Sequence, residues 1–132
     1  MREILFRAKR EDNGEWVYGY YVRIPDAVGS VHRMYVPAEN PDESNAVYFI
    51  DPETLGQYTE FKDKKGNFIF EGDIIDFDYD TSVVNWLDCC WALDDGVTLL
   101  EEAENVKILG NIYDNPELIP EPLKDGDDND KP

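Results

Sequence analysis

Three carboxylates alternate along one stretch of the chain, Asp76, Asp78 and Asp80. Taken as the start of a calcium loop, this spacing requires glycine at the sixth position and glutamate at the twelfth. Those positions hold Thr81 and Leu87, which excludes a standard EF-hand. On a strand the three side chains would line one face about 7 Å apart, too wide for one ion without further ligands. They read instead as an acidic strip, solvated or held against a partner, and Asp88 extends the set. The remaining chemistry-bearing residues are few. His32 is the only histidine, and the two cysteines, Cys89 and Cys90, are adjacent. Neighbours in a strand point to opposite faces, so zinc ligation or a disulfide between them is not expected. Phosphate-binding glycine loops, nucleophile elbows and metalloprotease helices are absent. The sequence therefore predicts no catalytic residue, no metal site and no cofactor.

Charge sets the next bound. Thirty acids against 12 bases give a formal charge of −18 over 132 residues. Such a field repels nucleic-acid backbones, so direct nucleic-acid binding is not expected. The charge is uneven: Glu71 to Glu104 holds eleven acids and no Lys or Arg. The partner this block fits is an unidentified protein with a basic surface, such as a nucleic-acid-binding protein. No apolar run reaches the length of a membrane span, and the N-terminus lacks the apolar core of a secretory signal. Two free thiols fit a reducing cytoplasm.

The elements that must position these residues read as strands. Hydrophobic residues make up 42% of the chain and aromatic residues 13%, a composition suited to pleated, half-buried surfaces. Ile4 to Ala8 reads as a first strand and Asn13-Gly14 as a turn. Trp16, Tyr18, Tyr20, Val22 and Ile24 alternate with Val17, Gly19, Tyr21 and Arg23, giving a second strand with one apolar face. Pro25 to Ser30 reads as a loop, Val31 to Val36 as a strand, Pro37 to Asn45 as a longer loop and Ala46 to Ile50 as a strand. Asp51-Pro52-Glu53-Thr54 has the form of one helical turn. Asp63-Lys64-Lys65-Gly66-Asn67 and Glu71-Gly72-Asp73 are turns. Ile74 to Tyr79 follows as a strand with Ile75, Phe77 and Tyr79 on one face and Ile74, Asp76, Asp78 and Asp80 on the other. Val83 to Ala92 and Val106 to Tyr113 are further strands. Trp91 and the cysteines fit a core, and Trp86 beside Asp88 fits an interface. Residues 117–132, rich in Pro and Asp, read as a disordered acidic tail.

Four segments carry a resemblance to a known family. They are Arg2-Glu3-Ile4-Leu5-Phe6-Arg7-Ala8, Trp16-Val17-Tyr18-Gly19-Tyr20, the stretch from Gly56-Gln57-Tyr58-Thr59 through Asp73-Ile74-Ile75, and Leu109-Gly110-Asn111-Ile112-Tyr113-Asp114-Asn115-Pro116. In order and spacing they resemble the YopX protein family, small proteins of bacteriophages and prophages. One departure is local: the family usually has Gly-Leu or similar after the Tyr-Thr pair, where this chain has Glu60 and Phe61. The resemblance implies a mostly β protein with a small barrel in its C-terminal half, and it implies no activity.

The expectation is thus a mainly β, barrel-like antiparallel domain over residues 1–116. It comprises an N-terminal hairpin half, 1–60, and an SH3-like half, 61–116, before the tail. The functional expectation is a non-enzymatic phage accessory protein in the bacterial host cytoplasm that binds a protein through Asp76, Asp78, Asp80 and Asp88. The alternatives are a self-assembling structural module and a carboxylate-metal enzyme or regulator.

Overall fold

The computed structural model describes residues 3–77, 80–87, 90–92 and 106–119. Ten strands and one short 3-10 turn make up the described elements, with no α-helix among them. Contacts divide the chain into two units, Met1–Tyr58 and Thr59–Pro132.

The first unit is a ring of antiparallel strands. β1 (Phe6–Arg10), β2 (Trp16–Asp26) and β3 (Gly29–Val36) follow one another as hairpins, and β4 (Ala46–Lys62) closes on both β3 and β1. Phe49 pairs with Arg33 of β3, while Ile50 pairs with Arg10 and Gln57 with Phe6 of β1. The ring is partly closed, and closure covers part of the edges that small sheets otherwise present. Inside lie Ala8, Met34 and Ile50, with Phe6, Val17, Tyr21, Val36 and Leu55 packed around them. The partly closed ring therefore lies in the N-terminal half, whereas the resemblance implied a small barrel in the C-terminal half.

Three local expectations are corrected here. The β2–β3 ladder continues through Asp26 opposite Gly29, so only Ala27 and Val28 form the turn, not Pro25 to Ser30. Asp26 Oδ1 accepts the Val28 N–H at 3.0 Å and fixes that turn. Asp51 to Thr54 form no helical turn but a wide bulge, where β1 passes from Arg7 to Lys9 while β4 passes from Gly56 to Asp51. The Thr54 hydroxyl accepts the Lys9 N–H at 2.8 Å and donates to the Asp51 carbonyl at 2.7 Å, so it replaces the missing ladder bond. Third, the alternation in β2 is right and its face is inverted. Val17, Gly19 and Tyr21 turn inward; Tyr18, Tyr20, Val22 and Ile24 face solvent.

The second unit begins inside β4, whose last residues lead into β5 (Phe68–Phe70). β6 (Asp73–Phe77) lies between β10 (Lys107–Asn111) and β7 (Asp80–Val83); β8 (Asn85–Leu87) and β9 (Cys90–Ala92) form a separate hairpin. Ile69, Ile75, Val84, Trp91 and Val106 make its core, joined by Phe61 and Ile108. Ile74 and Ile75 are both buried, so the two-faced pattern expected for this strand fails at its start. A register shift between Ile108 and Gly110 accompanies this. The described strands of this half form small separate ladders, which do not establish the SH3-like detail. The 3-10 turn Pro116–Leu118 extends past the expected start of the tail, held by the Leu118 N–H on the Asn115 carbonyl. Residues 93–105 and 120–132 lie outside the described residues.

Candidate functional site

Side chains on one face of a sheet repeat every second residue, and cross-strand partners share a face. The ladders therefore fix the outer surface of the ring. One row is Tyr20, Tyr35 and Val47; the next is Val22, Arg33 and Phe49; Ile24 and Val31 follow, and Tyr18 precedes them on β2. Phe49 is 56% exposed, Tyr20 51% and Tyr18 47%, and Val22, Ile24, Tyr35 and Val47 are also exposed. At ~200 Å² per ring and about half exposure, the four rings alone present on the order of 400 Å². Single exposed apolar residues are ordinary, whereas contiguous patches of a few hundred Å² are often functional. None of these nine residues is an acid. The one charge is Arg33, whose guanidinium sits 5.3 Å from the Phe49 ring centre. Its Nε is buried and makes no hydrogen bond.

Cations also border the face. Arg7 and Lys9 lie 4.8 and 5.5 Å from the Trp16 ring on the adjoining strands. At the β4 side, Arg10, Glu11, Asp12, Tyr48, Val47 and Phe49 line a hollow of about 370 Å³. Arg10 stacks 4.3 Å over Tyr48 and pairs with Asp12 at 2.7 Å. That hydrogen bond lowers the Asp12 pKa and raises that of Arg10.

The sequence-predicted acidic residues are only partly in view. Asp76 is exposed on β6, opposite Thr81 of β7. Asp80 is on β7, opposite Phe77, so Asp76 and Asp80 lie on two antiparallel strands rather than along one. Asp78 and Asp88 lie outside the described residues. Among the described residues no cluster of three His, Cys, Asp or Glu side chains could hold a metal. Among the described residues no helix is long and apolar enough to cross a membrane. His32 sits on β3 with Nδ1 2.6 Å from the Tyr21 hydroxyl and its ring stacked on Tyr21. Trp86 is half exposed and meets the buried Trp91 edge-on at 4.8 Å. Cys89 lies outside the described residues.

The family-like segments build structure. Asp63 is buried; its Oδ1 accepts the N–H groups of Lys65 at 2.9 Å and Asn67 at 2.8 Å, and its Oδ2 accepts that of Ile108 at 3.3 Å. Burial pushes the carboxyl up, but these donors outweigh it and hold the group below the usual carboxylate range. Asp73 Oδ2 accepts the Phe70 N–H at 2.7 Å beside Gly72, whose φ of 91° favours glycine. Asn111 Oδ1 accepts the N–H groups of Tyr113 and Asp114, and Asn115 Oδ1 accepts that of Asn111. Sequence reasoning found the turns at Asp63 to Asn67 and Glu71 to Asp73, but it read Val106 to Tyr113 as one strand where β10 ends at Asn111 and a turn follows. It also missed the outer aromatic face, since the even positions of β2 were visible and their side was not.

The structure is similar to the crystal structure of protein EF1440 from Enterococcus faecalis, with a TM-score of 0.56 and 21% identity. The likeness covers 91% of this chain and all of that one, and at this identity it concerns the fold. No curated protein matches the chain. The family model described as YopX protein matches residues 5–120, and the chain belongs to that family.

Proposed function

We propose that this protein is a non-catalytic accessory protein of a bacteriophage or prophage, working in the bacterial cytoplasm by binding another protein chain. The observation that carries this reading is the solvent-facing patch of Tyr18, Tyr20, Tyr35 and Phe49 around Arg33. Tyr, Phe and Arg are the residues enriched at the cores of protein interfaces, where Lys, Glu and Asp are depleted. The test is affinity capture from host lysate with the wild-type chain and with Phe49→Glu. Loss of captured proteins in the variant supports the reading; identical captures refute it.

A second surface is favoured by the exposure of Asp76. In this reading Asp76, Asp78, Asp80 and Asp88 present charge to a basic protein, such as one that binds nucleic acid. Binding of that kind weakens as salt screens it, so capture unchanged between low and high salt removes it.

A further inference from the structure

We infer that the occupant of the outer β2–β3–β4 face is a second copy of this chain, related by a twofold axis. The inference rests on the protein-binding reading above and names the partner. A twofold interface must be complementary to itself. This face holds both halves of such a contact: a guanidinium, Arg33, and the aromatic rings of Tyr20, Tyr35 and Phe49. Arg33 already stacks on Phe49 of its own chain, and its buried Nε–H has no acceptor. A facing copy supplies further rings for cation–π contact with the guanidinium.

Charge selects the same face. Two copies of −18 repel wherever their acids meet. The nine outward residues carry no acid, and residues 1–58 hold ten acids against six bases, whereas residues 59–132 hold twenty against six. The patch is also of suitable size. The four rings with Val22, Ile24, Val31 and Val47 expose on the order of 600 Å², about three quarters of the roughly 800 Å² that each partner of a standard interface buries. A nucleic acid or an anionic membrane, by contrast, meets the repulsion of the whole chain.

The test is sedimentation equilibrium of the full chain from micromolar to millimolar concentration, at low and high salt. The expected result is a mass that rises from 15.2 kDa toward twice that value. Dimerisation strengthens with salt, because screening relieves the repulsion between copies. Phe49→Glu and Val22→Glu each weaken it about tenfold or more while circular dichroism remains native. A wild-type chain that stays monomeric throughout overturns the inference, as does a dimer indifferent to both substitutions. A monomer whose lysate capture is lost in Phe49→Glu overturns the self-association and leaves the protein-binding reading standing.

Discussion

Arg33 and Phe49 face each other across the β3–β4 ladder, with the guanidinium 5.3 Å from the ring centre, on the solvent side of a partly closed ring. The ring core lies on the other side of these strands, so neither residue is needed to fill it. Phe49→Ala should therefore cost less than about 1 kcal/mol of stability, because the ring is already half in water. Ile75→Ala, at a fully buried site, should cost about 2–5 kcal/mol. Urea denaturation of the two variants checks the contrast. A large loss for Phe49→Ala would mean that the face is structural.

Gly19 is the point of closest approach inside the ring. A Cβ there would stand 2.2 Å from the Tyr35 carbonyl oxygen, backbone that cannot swing away. Gly19→Ala should destabilise by at least ~2 kcal/mol, read as a lower thermal midpoint. An unchanged midpoint would show that the strands can part without loss.

The β2 pattern shows what the sequence made legible. Its period of two was readable, because strand geometry forces side chains to alternate. Which set turns inward was not, because a ring of few strands has little interior volume. Val17, Gly19 and Tyr21 turn into the ring, with Gly19 at the narrowest contact, and Tyr18, Tyr20, Val22 and Ile24 are left outside. Turns were readable where one side chain organises them, as at Asp63 to Asn67. The bulge at Asp51 to Thr54 was not, because the Thr54 hydroxyl is satisfied by Lys9, 45 residues away. The acidic strip depends on residues only partly described, so its geometry gains one fixed point, Asp76.

Glu60 occupies a left-handed conformation, φ 74°, the only such non-glycine residue among those described. This conformation strains an L-residue by about 1–2 kcal/mol, while glycine loses more entropy on folding. It explains why the family resemblance leads one to expect glycine after Tyr58-Thr59. Glu60→Gly should raise stability by up to about 1 kcal/mol. A clear drop in the melting midpoint would mean that contacts of the Glu60 side chain outweigh the strain.

Asp63 gives the fold an acid-sensitive tie. Its folded pKa lies below the ordinary value, so the carboxylate stabilises the fold above the unfolded pKa. That contribution is lost as pH falls through the folded pKa, below the ordinary carboxylate value of about 3.9. Asp63→Asn presents an NH2 group where the N–H groups of Lys65 and Asn67, or that of Ile108, must be accepted. It should cost about 1–3 kcal/mol at neutral pH and flatten the acid limb of the stability curve. Urea midpoints measured from pH 2 to 7 decide, and an acid limb of unchanged slope would exclude Asp63 as the titrating group.

The most direct measurement of the outer face is site-specific photocrosslinking. Benzoylphenylalanine replaces Tyr20 in one preparation and Val28, 95% exposed at the β2–β3 turn, in another. Both are irradiated in host lysate at matched concentration. A contact face at Tyr20 predicts a discrete protein adduct there and little at Val28. Equal or absent adducts at the two positions would contradict it.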